Sequence, residues 1–103
     1  MSRALALLLF AADGGTTLYS AATREPHGLV QLELGEGDRA VFRQVVSIHL
    51  PPAEVERLEV KVSRKGEQLC LTPKPKAVDA CLVQKGAGLV ARFKGEELVL
   101  ERR

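Results

Sequence analysis

Beyond residue 27 the chain alternates apolar and polar residues with a period of two, and turn residues interrupt that alternation at short intervals. This pattern excludes long helices and confines the fold to antiparallel strands with one buried face. Val30, Leu32 and Leu34 alternate with Gln31 and Glu33 before the turn Gly35-Glu36-Gly37-Asp38. Ala40, Phe42, Val46, Ile48 and Leu50 then share a face opposite Arg43, Ser47 and His49. Gln44 interrupts that face, which predicts a bulge or an edge position there. Pro51-Pro52 ends the run, because proline donates no ladder hydrogen bond. One helical turn is expected over residues 53–57, with Pro52 near its first position.

Leu58, Val60 and Val62 form the next apolar face, and Arg64-Lys65-Gly66-Glu67 the next turn. Leu69 and Leu71 return, residues 73–76 (Pro-Lys-Pro-Lys) form a loop, and Val78, Ala80 and Leu82 share a face. After a turn over residues 85–88, Leu89, Ala91 and Phe93 face the core, and Leu98 and Leu100 close the pattern. The final strand, residues 97–103, carries Glu101, Arg102 and Arg103 and reads as a charge-protected sheet edge. The expected fold is all-β: one domain over residues 1–103, a small antiparallel β-sandwich or barrel of six to eight strands.

The chain has 103 residues, enough for one core. It has three Phe, one Tyr and no Trp, so that core must be built from Leu, Val and Ala. Phe42 and Ile48 are both expected to be buried.

Residues 1–22 have two readings. Arg3 and the apolar run over residues 4–12 have the form of a secretory signal peptide, with Ser20 and Ala22 as the small-residue pair. Alternatively, residues 5–10 are a strand, Asp13-Gly14-Gly15 the turn and residues 16–20 the return strand of a first hairpin. A retained strand with no charge needs cover on both faces, which makes Leu5, Leu7 and Leu9 a candidate interface.

Cys70 and Cys81 are the most informative pair. In a hairpin closed around residues 74–77, the register that sets Leu69 opposite Leu82 and Leu71 opposite Ala80 also sets Cys70 opposite Cys81. Both then lie on the face away from the core, within reach of a disulfide. A disulfide implies an oxidising compartment, the endoplasmic reticulum lumen or the cell exterior; residues 1–12 as a strand would instead suit the cytoplasm.

No catalytic residue, cofactor site or metal site is expected. A Cys pair spaced this widely, with no neighbouring ligands, makes neither a zinc site nor a redox motif. His27 falls in a loop and His49 on a polar strand face, so both read as surface residues. Residues 1–56 carry four Arg against seven Asp or Glu, and residues 57–103 eleven Lys or Arg against six. That basic half (Lys61, Arg64, Lys65, Lys74, Lys76, Arg92, Lys94) raises the alternative of a cytosolic or nuclear barrel binding nucleic acid or a multisubunit assembly. Such a barrel needs exposed stacking aromatics, and Phe93 shares its face with core residues.

Leu50, Glu54, Arg57, Leu58, Gly66 and Pro73, followed by Cys81-Leu82 and preceded by Phe42-Arg43, resemble the lumenal domain of the tenth subunit of the endoplasmic reticulum membrane protein complex. That family is longer and has more strand between the segments matching Phe42 and Leu50. The resemblance implies a lumenal β-sandwich that assembles with other subunits and has no catalytic residues to carry over. The expected function is a non-enzymatic protein-interaction or assembly module, with a protein partner or a second copy, and with membrane contact only through partners.

Overall fold

A computed structural model describes residues 16–48 and 50–103. The expectations for Leu5, Leu7, Leu9, the signal segment or first hairpin, and His49 fall on residues outside that range. Eight strands follow in chain order: β1 (Thr17–Arg24), β2 (His27–Leu34), β3 (Arg39–Val46), β4 (Ala53–Lys65), β5 (Gln68–Thr72), β6 (Cys81–Lys85), β7 (Gly88–Phe93) and β8 (Glu96–Arg102). Each pairs antiparallel with the next, and β8 returns to β1 to close a barrel. The fold is all-β, as the alternation predicts.

The alternating residues point inward as expected. Phe42, Leu32, Leu69, Leu71, Leu82, Leu89, Leu100 and Val30 are fully buried. Eight strands enclose an interior just wide enough for side chains to fill. Leu and Val do so here without any Trp. The tight turn at Lys94-Gly95 has both residues at positive φ, 51° and 78°, and joins the directly paired Phe93 and Glu96. This is the two-residue hairpin whose backbone matches strand twist.

Closure corrects one expectation. The last strand is not an edge: Tyr19 pairs with Arg102 and Ser20 with Glu101. Arg103 extends this seam, donating its N–H to the Leu18 carbonyl at 2.8 Å and its Nε–H to the Ser20 hydroxyl at 2.8 Å.

The β3–β4 hairpin departs most from the sequence reading. Its ladder shifts register between Gln44 and Val45, which pair with Glu56 and Glu54. The bulge expected at Gln44 is present, with Val55 of β4 as the extra residue. Residues 53–57 are strand, not a helical turn. A single turn would fix several dihedrals for one hydrogen bond, whereas pairing with β3 satisfies the same backbone along a ladder.

Ile48 is 61% exposed, which overturns its expected burial, and Leu50 is 90% exposed. β3 ends at Val46, and the Ser47 N–H bonds the His27 carbonyl where β2 begins. Beyond that point the sheet has no further residues to cover Ile48. His27 itself is the first residue of β2, not part of a loop.

Gly28 sits where β2 runs tightly against β3: a Cβ there would fall onto the Val45 carbonyl oxygen. Three substitutions separate these roles. Phe42→Ala should cost about 3–5 kcal/mol in chemical denaturation. Gly28→Ala should cost about 1–3 kcal/mol through overpacking. Ile48→Ala should cost under about 0.5 kcal/mol, as an exposed position does. A loss at Ile48 matching that at Phe42 would show the loop to be covered.

Candidate functional site: the exposed end of the β3–β4 hairpin

In an up-and-down barrel alternate connections share an end. The β1–β2, β3–β4, β5–β6 and β7–β8 connections therefore gather at one end of this molecule. Here the long β3–β4 hairpin and the β5–β6 loop meet, and the candidate site is built from these two.

The cysteines organise the second element. Cys70 and Cys81 are directly paired, their Cα atoms 3.9 Å apart, and form a disulfide. Leu69 opposes Leu82, and the Leu71 N–H bonds the Ala80 carbonyl at 2.8 Å, so the predicted register is observed. The bond lies on the outer surface and closes the base of the loop over residues 73–80.

Pro75 and Val78 of this loop are buried, and Val78 bridges to Phe93. The Glu56 carboxylate accepts the Lys76 N–H at 2.8 Å and the Ala77 N–H at 3.2 Å. Glu56 has the inward phase of Val60 and Leu58, opposite Gln44. A carboxylate in an otherwise apolar register thus satisfies two backbone donors of a loop that no ladder supports. The consequence is positional. Lys74 and Lys76 are both exposed, and the Lys76 backbone is held against Glu56 of β4.

Charge at this end is unevenly paired. Arg43 and Arg57 oppose each other directly across the β3–β4 ladder. Glu54 bonds Arg43 at 3.0 Å, and both are partly exposed. Arg57 remains as an exposed cation. Glu25, Glu96 and Glu97 lie at the same end, in or beside the β1–β2 and β7–β8 connections, along a groove of about 430 Å³ that Arg24 and Lys94 also line, and Asp79 is exposed in the β5–β6 loop itself.

The apolar part of the site was not foreseen. The exposed large hydrophobics among the described residues are Ile48, Leu50, Val55 and Val99, and three of them fall within residues 48–55. Pro51, Pro52 and Ala53 between them are exposed as well. The available signal was Pro51-Pro52 itself, which places the residues beside it in a connection and not in the sheet.

The remaining sequence candidates are dispersed. Lys61, Arg64, Lys65, Lys74, Lys76, Arg92 and Lys94 are all exposed, but Arg64 and Lys65 border the β4–β5 turn at the opposite end. Tyr19, Phe42 and Phe93 are buried, so no aromatic among the described residues is free to stack on a base. Lys94 Nζ lies 6.0 Å from the Phe93 ring centroid. A groove of about 670 Å³ on the β2–β5 surface has Arg39 and Lys61 opposite each other, but Glu33 and Glu59 line it too. Among the described residues no three His, Cys, Asp or Glu group together as a metal site would require.

No protein-family model, no curated protein and no solved structure matches the chain.

Two perturbations test how the loop is held. Replacing both cysteines with serine should lower stability by about 3 kcal/mol, the chain-entropy value for a loop of about a dozen residues. Glu56→Ala, which orphans two loop donors, should cost about 1–3 kcal/mol and raise hydrogen exchange selectively at Lys76 and Ala77. Unchanged exchange at those two amides would remove the anchoring role assigned to Glu56.

Proposed function

We propose that this chain is a non-enzymatic interaction module of an oxidising compartment, and that the exposed end of its β3–β4 hairpin joins it to a larger body. The observation that carries this reading is the exposure of Ile48, Leu50 and Val55, close together in sequence. Single exposed hydrophobics are ordinary, but several together on a projecting connection mark an interaction surface. The rest of the molecule is consistent with this role, since side chains fill the barrel interior.

The disulfide supports the compartment, the endoplasmic reticulum lumen or the cell exterior, because such bonds persist where thiols are not kept reduced. The resemblance to a lumenal complex subunit supports the same reading. Several of its residues (Leu50, Glu54, Arg57 and Pro73) belong to the projecting hairpin or to the loop pinned against it.

Size fractionation of tagged full-length protein from its native source tests the proposal. The wild type should migrate with a larger body. An Ile48→Asp/Leu50→Asp variant should migrate at the size of the single chain with an unchanged melting temperature, because both positions are exposed. A wild type that migrates alone, or a variant that stays associated, would overturn it.

A further inference from the structure

We propose that β8 accepts an extended segment of a partner protein as an added antiparallel strand, in the opening that β8 leaves beside β1. This surface is distinct from the exposed tip of the β3–β4 hairpin, and the inference goes beyond the reading given for that tip.

The opening follows from the length of the seam. β1 and β8 pair at Tyr19 with Arg102 and at Ser20 with Glu101, although β1 runs on to Arg24 and β8 starts at Glu96. In an antiparallel ladder, alternate residues turn their N–H and C=O groups to opposite sides of the strand. The Leu18 carbonyl accepts the Arg103 N–H, which fixes the phase on both strands. Ala22 and Arg24 therefore turn their backbone groups toward β8, and Glu97 and Val99 turn theirs toward β1. The ladder stops short of all four. A groove of about 430 Å³ lies there instead, with Thr23, Arg24, Phe93 and Leu98 in its lining. An extended polypeptide supplies donors and acceptors at the two-residue spacing that Glu97 and Val99 present, which selects a strand as the occupant.

The side chains define what that strand carries. Val83 pairs with Val90 and Val90 with Val99, a row across β6, β7 and β8 in outward phase. Exposure along the row rises where cover ends: Val90, in the middle, is 9% exposed, and Val99, at the opening, 54%. Val99 is also the exposed large hydrophobic that stands apart from residues 48–55. A residue set opposite Val99 by an added strand continues the row, and apolar or β-branched pairs are favourable at such positions. The residue after it has inward phase, at the level of half-buried Leu98 and buried Thr23, so it too is uncharged. Charge makes no choice of sign here. Glu25, Glu96 and Glu97 line the groove together with Arg24 and Lys94. Arg92, the ladder partner of Glu97, donates to the Gly95 carbonyl at 2.7 Å. Backbone pairing and apolar side chains recognise the partner.

Amide hydrogen exchange on full-length, oxidised protein, followed by NMR, tests this with a defined probe. The probe is a capped peptide of alternating valine and threonine with a lysine at each end. In the free protein the Glu97 and Val99 N–H groups should exchange about tenfold or more faster than that of Leu98, which pairs with Ala91. The peptide should slow Glu97 and Val99 about tenfold or more and leave Leu98 unchanged, because alternate residues face the opening. N-methylation of the peptide's valines, whose N–H groups meet β8, should abolish the effect. Val99→Asp should weaken peptide binding about fivefold or more, and Ser63→Asp, exposed on β4, should leave it unchanged. Absence of protection at millimolar peptide overturns the inference. So does protection that survives N-methylation of the valines, or binding that Val99→Asp leaves intact. Glu97 and Val99 already protected in the free protein also overturn it. Such protection assigns the opening to residues 4–12 of the same chain if it is independent of concentration, and to a second copy if it grows with concentration. Purified protein and peptide are the only components, so the result does not depend on whether Ile48→Asp/Leu50→Asp releases the chain from a larger body.

Discussion

The barrel depends on a short seam. β1 and β8, the first and last described strands, meet through two residue pairs, Tyr19 with Arg102 and Ser20 with Glu101, extended by the bonds from Arg103. Every other junction joins sequence neighbours through a turn or loop, and its loop-closure cost is small. The seam joins residues more than eighty positions apart, and it is what turns a meander into a closed sheet with no free first or last strand. Burial of Leu100 and Tyr19 beside it supplies what so few backbone pairs cannot. The weakness of the seam toward β7–β8 is visible as the groove where Thr23, Glu25 and Leu98 face each other without ladder pairing.

Much of the fold was legible because it is local. Alternation assigned Phe42, Leu69, Leu82 and Leu100 to the interior, and turn residues located the hairpins. The pairing of Leu69 with Leu82 led to Cys70 opposite Cys81. What alternation cannot supply is the length of the layer on the other side. Ile48 continues the phase of Phe42, yet β2 begins at His27 and leaves nothing to cover it. Residues 53–57 favour helix by composition, and only their pairing with the end of β3 makes them strand. The seam was missed for a related reason: charge on a terminal strand protects an edge, but it also suits the outer face of a barrel.

The candidate site was the least legible part, because it is defined by what the fold fails to cover. Its apolar members look in sequence like the end of a core strand. Its cations look like part of a basic half, which in space divides between the two ends of the barrel. The lysine loop reaches β4 only because Glu56, in the phase of core residues, accepts two of its backbone N–H groups. A Glu at an inward position reads as an error in the apolar pattern until those partners are seen.

The disulfide takes on a different meaning in this arrangement. It lies outside the barrel wall, and the core beneath it, Leu69, Leu71 and Leu82, is fully formed by hydrophobic contact. What it constrains most is the loop over residues 73–80, whose backbone has few partners of its own. Without a closed base, that loop would have to be ordered by the Glu56 contacts, the burial of Pro75 and Val78, and the few backbone contacts of Val78, Asp79 and Ala80, against the entropy of its remaining residues. Closing the base reduces the number of arrangements the loop can reach and favours the one in which its backbone meets Glu56. The bond therefore stabilises the fold in general and the geometry of this loop in particular. A loop whose backbone has so few partners gains most from such a constraint.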